Sequence, residues 1–550
     1  MKMSRGSLLW SSLSLAVMSI AGCGTVEREG NAVRMDSGQS TGAYADARDQ
    51  ADATRQAARR ADWRCGPVVY QVFVDRFGPP SETRLAAKAD LYASPRQLIP
   101  WDTLPFRGEK DVDAGLWSHE LHFWGGDLVT LRDKLDYIEE LGADVVYLNP
   151  IQQAYTNHKY DAHDFFEVSP EYGTRDDVRA LADDLHNRDM RLMLDGVFNH
   201  MGATSPHFIE ARDDPSSPWR AWFEFHDEAP GYRAWFGVAN LPEVRLESEA
   251  IRARLWGDDD SAVQGYLRNE GVDGWRLDVA YDLGPVMLES LVSAAHEARE
   301  DAWVVGEVWN YPDRWAPPLD GVMNFHAREI LMAMSEGRLT GARAARLMES
   351  MVEDMGIDIA LRSWLILDNH DTDRLASWSP SPSMTRQLTA LMMTLPGCPV
   401  VYYGSELGME GVGDPGCRAP MQWDLVTEDN ETLSWFRQLL SIRAAHPALR
   451  YGDLVVLDTE SLFAFARVTD RVDETVIVVA NPSSAPISEA IAVPLGKIMS
   501  GDMDDQLHED DPVHLRAGLM TVSVPAQAVR ILTLRTDVGA SGYTPYGRVH

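Results

Sequence analysis

Eight short apolar runs, separated by longer stretches of mixed polarity, limit what this chain can fold into. They are Val68–Phe77, Asp144–Ile151, Arg191–Phe198, Gly274–Ala280, Trp303–Trp309, Gly321–Phe325, Trp364–Leu367 and Pro399–Gly404. Runs this short and this apolar are strands buried on both faces. Several stretches between them have helical spacing: Leu131, Leu135, Ile138 and Leu141 share one face before Gly142 stops it. Strands alternating with helices make a parallel sheet with helices outside, and eight such units close into a (β/α)8 TIM barrel of the α/β class. A doubly wound open sheet is the alternative, but no G-x-G-x-x-G follows the first strand.

The barrel is expected over residues 63–450 with one elaboration. From Met201 to about Glu249, after the third strand, Pro, Trp, Phe and Asp crowd together without a period, which predicts an inserted loop-rich domain over the functional end. Beyond Tyr451 the texture changes. Asp453–Leu457, Leu462–Arg467, Glu474–Ala480, Ile491–Val493 and Ala528–Thr533 read as strands between turns, predicting a C-terminal antiparallel β-sandwich over 451–535, with 536–550 as a tail.

The other end reads as an address. Lys2 and Arg5 precede an apolar run, Leu8 to Ile20, too short to span a membrane as a mature helix and shaped like a secretory signal. Ile20-Ala21-Gly22-Cys23 resembles a bacterial lipobox, in which Cys23 becomes lipidated. The expectation is therefore an exported lipoprotein anchored to a cell-envelope membrane, the outer one by preference. An ordinary signal peptide is the alternative. Residues 24–62, almost devoid of large apolar side chains, read as a flexible tether in which Ala43–Ala61 could form a solvated helix. Cys65, Cys398 and Cys417 remain, without metal-ligand spacing; whether two of them pair is open.

Charge narrows the partners. A formal charge of −34 repels nucleic acid and anionic lipid, and it suits a neutral ligand. The 17 Trp and 17 Tyr offer flat faces with polar edges, which suit sugar rings, although most aromatics are core. In a barrel of this kind the polar groups at the C-terminal ends of strands are the catalytic candidates. Those ends supply Asp195, Asn199 and His200; Arg276 and Asp278; Glu307; His370 and Asp371. Any one alone reads as a helix cap or a surface acid; together they converge on one opening. Arg276 and Asp278 are two apart on a strand and share a face, so the guanidinium favours an ionised, nucleophilic Asp278. Glu307 stands between Val304, Val305 and Val308, Trp309, walls that favour a neutral, proton-donating acid. Two carboxylates divided in this way serve glycosyl transfer, with Asp371 as a third acid to hold hydroxyls while the ring distorts.

The motifs carrying these residues are Asp195-Gly-Val-Phe-Asn-His200, Gly274-Trp-Arg-Leu-Asp278, Gly306-Glu-Val-Trp309 and Asn369-His-Asp371. Gly125-Gly-Asp-Leu128, Asn157-His-Lys-Tyr-Asp161, Gly397-Cys-Pro-Val-Val-Tyr-Tyr-Gly404 and Asp414-Pro-Gly-Cys-Arg-Ala-Pro-Met421 support them. In this order they resemble the α-amylase family of glycoside hydrolases over roughly Pro67 to Arg535, nearest its cyclomaltodextrinase and neopullulanase branch. The resemblance implies a retaining hydrolase of α-1,4 bonds in maltooligosaccharides, cyclodextrins or related α-glucans. It implies Asp278 as nucleophile, Glu307 as acid/base and Asp371 as transition-state stabiliser. Substrate contacts fall to His158, Tyr160, Asp195, His200, Arg276, His370, Arg374 and Arg418. No cofactor is required for the chemistry; a non-catalytic calcium ion would have Asp127 and Asn199 as its candidates, but the loop after Phe77 offers few oxygen ligands. After the nucleophile, Tyr281-Asp282 stands where Asn-Glu is common, which bears on the acceptor. The alternatives are a transglycosylase on the same fold and a non-catalytic glucan-binding surface lipoprotein. Oligomeric state is not legible.

Overall fold

The computed structural model describes residues 43–111, 115–496, 498, 500–509 and 511–535. Each of the eight apolar runs contains a strand: β1 (Val69–Val72), β2 (Val145–Leu148), β3 (Arg191–Gly196), β4 (Gly274–Leu277), β5 (Trp303–Val308), β6 (Gly321–Asn324), β7 (Trp364–Leu365) and β8 (Cys398–Tyr402). They close into a barrel in the order β1-β8-β7-β6-β5-β4-β3-β2, every pairing parallel. Alternate side chains divide between two cores. Val69, Val145, Tyr147, Met193, Trp303, Val305, Met323 and Trp364 fill the barrel, while Val146, Leu148, Leu192, Leu194 and Val304 face the helices. The register sets Arg276 of β4 between Asp195 of β3 and Val305 of β5. The acids predicted at neighbouring strand ends are therefore lateral neighbours.

Two loop regions build up the functional end. The insertion after β3 has a short helix, Pro206–Asp213, over a knot of Phe208, Phe223, Phe225 and Tyr232. An isolated bridge, His200 to Glu243, holds it near the end of β3, and another, Ala234 to Pro242, ties it to itself. The connection from β1 to the helix Leu128–Arg132 is an elaboration that the sequence patterning did not signal. It holds two small strand pairs, Gln97–Leu98 with His122–Phe123 and Lys110–Asp111 with Leu116–Trp117, and a 3-10 turn at Ser118–Leu121. Its return requires Gly126, where a Cβ would lie 2.5 Å from the carbonyl oxygen of Val74.

The C-terminal region is a single antiparallel ladder of eight strands. They are β9 (Asp453–Val456), β10 (Phe463–Val468), β11 (Val476–Ala480), β12 (Ile487–Ala492), β13 (Ser500–Asp505), β14 (Val513–Arg516), β15 (Leu519–Val524) and β16 (Val529–Leu534). The order is β9-β10-β11-β16-β13-β14-β15-β12. Ala464, Ile477 and Leu532 from one half share a core with Met503, Leu515 and Val522 from the other, so the ladder encloses its own interior as a sandwich does. Phe463, Phe465, Val478 and Ile531, on the opposite face, join the barrel's outer core. The predicted strands missed β13 to β15, whose alternation of buried and exposed residues is broken by turns rich in Asp and His.

The tether expectation is corrected from Ala51 onward. The helix α1 (Ala43–Ala61) docks there through polar rather than apolar side chains. Arg59 is 4% exposed and donates from Nε to Asp358 Oδ1 (2.6 Å) and from Nη1 to Asp453 Oδ1 (2.8 Å). Arg60 Nε donates to the hydroxyl of Tyr451 (2.8 Å). Ala-rich spacing looks solvated because it has no apolar stripe, and such ion pairs leave none to read. The signal segment, Cys23, the tether before residue 43 and the tail 536–550 lie outside the described residues. Cys65, Cys398 and Cys417 are all buried free thiols.

Candidate active site

Arg276 is the hub of the barrel mouth. Its side chain has no exposure, and a cation so deep must be paired. Nη1 donates to Asp195 Oδ1 (2.8 Å) and to Asp278 Oδ1 (3.0 Å), while Nη2 lies 2.9 Å from Glu307 Oε2. One guanidinium thus touches carboxylates from three adjacent strand ends. Asp195 is shared further: the hydroxyls of Tyr147 (2.6 Å) and Tyr160 (2.9 Å) donate to its Oδ2. Gln71 Nε2 is 3.0 Å from His370 Nδ1, so the ring's proton belongs on Nε2, facing Tyr160 Oη (2.7 Å) and Asp371 Oδ2 (2.9 Å). The Tyr160 and His370 rings stack at 5.3 Å.

Above this floor opens a cleft of about 500 Å³. Asp278, Glu307 and Asp371 all line it, with His158, Tyr160, His200 and Arg418. Two groups flank the acids. Around Asp371 the cleft is polar: Arg418 Nη2 reaches Asp371 Oδ1 (3.1 Å), Arg418 Nη1 reaches Asp414 Oδ1 (3.1 Å), and Glu120 Oε1 is 3.8 Å from His158 Nε2. Around Glu307 and His200 it is aromatic, with Trp235, Phe236, Tyr281 and Trp309. Trp235 lies 5.6 Å from the His200 ring and donates from Nε1 to Asp282 Oδ2 (2.8 Å). Trp309 stacks on Phe325 at 3.7 Å.

Glu307 is held by the chain on both oxygens. Oε1 accepts the indole N–H of Trp309 (2.9 Å) and Oε2 accepts the backbone N–H of Val279 (2.9 Å). Val279 makes its bond from φ 41, ψ 46, a left-handed conformation that costs a β-branched residue about 1–3 kcal/mol. That turn, immediately after Asp278, is what aims the amide at Glu307.

Burial dominates the titration of the cleft. It pushes Asp278 well above the ordinary aspartate range; Arg276 pulls back, while Glu307, Asp195 and Asp371 add to the push. Arg276 thus acts on Asp278 in the expected direction, toward the ionised form, but against a larger push from burial. Burial also acts to raise Asp371, but His370, Arg418 and Arg276 outweigh it and hold that carboxyl below the usual range. Burial lowers His200 to about 4 and, with Arg418 adding to it, His158 to about 3, so both rings are neutral near pH 7. Among the described residues His200 Nε2 has no hydrogen-bond partner, and it sits 4.0 Å from Asp278 Oδ2, placed to meet a hydroxyl. Burial raises Glu120 to about 7.

Four of the expected substrate contacts lie beneath the cleft instead of lining it. Asp195 and Arg276 form its buried floor, and His370 is 1% exposed under Tyr160 and Asp371. Arg374 is fully buried and donates to the carbonyls of Cys417 (2.9 Å) and Tyr403 (2.9 Å), so it supports the wall. Glu120, Trp235, Phe236, Tyr281 and Asp414 line the cleft without having been singled out as contacts. Asp414, which opens a motif, and Tyr281, which follows one, had a signal, as did Trp309, which also lines the cleft from within its motif.

Asp127 does not fit the calcium expectation. Asp127 Oδ2 is taken by the ammonium of Lys88 and by Arg84 Nη2 (2.6 Å), and Oδ1 caps the following helix at Thr130 N (2.8 Å). No three His, Cys, Asp or Glu side chains converge at Asp127 or Asn199 among the described residues. The trio that does converge is His119, Glu120 and Asp414. Gly108 N–H donates to His119 Nδ1 (3.1 Å), which puts the neutral ring's proton on Nε2 and makes that atom a donor toward Asp414 (3.5 Å), not a metal ligand.

Comparison with known proteins agrees with this geometry. The family model "Alpha amylase, catalytic domain" matches residues 71–450. A cyclomaltodextrinase of a Bacillus species is 30% identical over 446 residues, 77% of this chain and 74% of that protein. The intracellular maltogenic amylase of Bacillus subtilis is 31% identical over 427 residues, 74% of this chain and 68% of that one. Among solved structures, the cyclic α-maltosyl-(1→6)-maltose hydrolase of Arthrobacter globiformis superposes with a TM-score of 0.71 at 26% identity, covering 86% of this chain and 99% of that one. A relative that is intracellular by name overturns the expectation of an exported, membrane-anchored lipoprotein. Among the described residues no helix is long and apolar enough to cross a membrane. With the family match running from β1 past β8 and the three acids gathered at one mouth, the chain belongs to the alpha-amylase family and is a glycoside hydrolase.

Proposed function

We propose that this chain is a retaining hydrolase of α-1,4-glucosidic bonds in maltooligosaccharides, cyclodextrins or related α-glucans. The observation that carries the reading is the Arg276 fork. A single guanidinium contacts both Asp278 (3.0 Å) and Glu307 (2.9 Å), which favours the roughly 5–5.5 Å carboxyl spacing of retaining enzymes over the wider gap that admits a water between acids. Asp278 attacks the anomeric carbon while Glu307 gives its proton to the departing oxygen, and the electron pair of the broken C–O bond goes to that oxygen. The sugar is then an ester of Asp278. Glu307, now a carboxylate, takes a proton from water, whose oxygen attacks the same carbon and frees Asp278 with the original configuration restored. Asp371, held ionised by His370 and Arg418, binds ring hydroxyls as the ring flattens, and neutral His200 and His158 bind others. Tyr160 presents its ring face to the same sugar.

The names of the relatives support the substrate class, and the polar group around Asp371 suits the glucosyl units retained on Asp278. A second reading, transfer to a sugar acceptor, is favoured by the aromatic group around Glu307, which offers ring faces on the leaving side. The test is a product time course on maltoheptaose, β-cyclodextrin and pullulan. Early release of α-anomers, abolished in Glu307→Gln, is expected. Release of β-anomers would overturn the retaining reading. Longer products at high oligosaccharide concentration would put transfer first.

A further inference from the structure

Glu307 has two oxygens but only one exit for a proton. Oε2 accepts the backbone N–H of Val279 and lies against Arg276 Nη2, and neither can withdraw: the guanidinium is fully buried and the amide belongs to the turn that follows Asp278. The proton must therefore leave from Oε1. That oxygen is not free either, since it accepts the indole N–H of Trp309 at 2.9 Å. Trp309 differs from the donors on Oε2. It is 46% exposed, it lines the cleft, and its ring lies nearly parallel to Phe325 (16°), a surface along which it can slide without losing its apolar contact.

We propose that Trp309 is a positioning residue that governs the proton on Glu307: its indole N–H occupies Oε1 in the empty cleft and releases it when a sugar enters. A donor aimed at a carboxylate stabilises the charged form, so the same oxygen cannot keep that bond at full strength and also carry the acid proton. The entering glycosidic oxygen needs Oε1 for itself, and the indole must yield. The proposal rests on the reading of Glu307 as acid/base. The other charged or titratable groups facing Glu307 are Arg276 from β4, Asp278 just past its end and Tyr281 from the helix that follows, with Asp195 and Asp371 beyond Asp278. None of them contacts the indole N–H.

The experiment is the pH profile of kcat/KM on maltotriose for the wild type, Trp309→Phe, Trp309→Leu and Glu307→Gln. Phenylalanine keeps the stacking on Phe325 and removes only the N–H; leucine removes both. The alkaline limb, which marks loss of the acid proton, is expected to move up by roughly half to one pH unit in both tryptophan variants. KM is expected to rise in Trp309→Leu alone, where the ring face is lost. If kcat/KM falls by one factor at every pH and the limb stays put, the indole is only a sugar contact and the proposal is overturned. A wild type without turnover, or an alkaline limb that persists in the residual turnover of Glu307→Gln, would instead remove the acid/base reading itself, and the proposal with it.

Discussion

Two arginines with no exposed surface divide this molecule between them. Arg276, at the mouth of the barrel, is neutralised by carboxylates of Asp195, Asp278 and Glu307. Arg467, on β10 where the C-terminal ladder meets the barrel, has only carbonyl oxygens: Thr394 (2.7 Å) and Leu449 (3.0 Å) on Nη1, and Gly452 (2.9 Å) on Nη2. Burial acts to lower both groups. At Arg276 the surrounding negative charge, Asp195 foremost, wins and the guanidinium is held well above its ordinary range. At Arg467 burial wins, with Arg443 adding to it, and the group is held well below. Carbonyl dipoles can anchor a cation and weld two layers. Only full negative charges make a field that orients a nucleophile and an acid. The difference is that between a structural rivet and a hub of paired charges.

Three changes test that contrast. Arg276→Met should have the largest effect, lowering kcat/KM by about a thousandfold or more, because three buried carboxylates lose their shared counter-charge and both reacting acids lose their alignment. Steady-state kinetics on maltotriose measure it; retention of most activity would make the hub dispensable. Arg467→Met should do the opposite. It leaves carbonyls unpaired but no buried anion, so thermal unfolding should show a loss of about 2–4 kcal/mol while kcat stays at the wild-type value. A fall in kcat with stability intact would show that the ladder reaches the chemistry. The smallest effect concerns pH. Because Asp278 is held well above the ordinary aspartate range, its nucleophilic form is lost as pH falls through that raised value. The acid limb of kcat/KM should therefore lie above the ~3.9 of a free aspartate, and Arg276→Lys, a poorer fork for two carboxylates, should move it further up.

The barrel was legible because its strands are buried on both sides, and burial on both sides leaves an unbroken apolar run. The gathering of Asp278, Glu307 and Asp371 at one mouth was legible because strand ends are fixed points from which the motif residues project. Depth was not. Asp195, Arg276 and His370 carry the same motif signal as Asp278 and Asp371, yet these three, with Arg374 just past its motif, lie below the cleft. Whether a strand-end residue forms floor or wall depends on which neighbours cover it, here Tyr147, Tyr160 and Tyr403, contributed from other strands and loops. Glu120 and Trp235 were illegible for a related reason. They sit in long connections with no period, placed by contacts such as Trp117 N–H to Glu120 (2.8 Å) and Trp235 to Asp282 (2.8 Å). The docking of α1 was misjudged because Arg59 reads as surface until Asp358 and Asp453 are brought to it.

The ammonium of Lys88 against Asp127 has a consequence for where such an enzyme can work. A divalent ion at that carboxylate would be a guest, leaving by mass action whenever its free concentration fell below the dissociation constant. Lys88 is a tenant that never leaves, present at one copy per chain in any medium. The connection that brings Glu120 to the cleft begins at β1 and ends at this carboxylate. Its anchorage at Asp127 is thus written into the polypeptide, through Lys88 and Arg84.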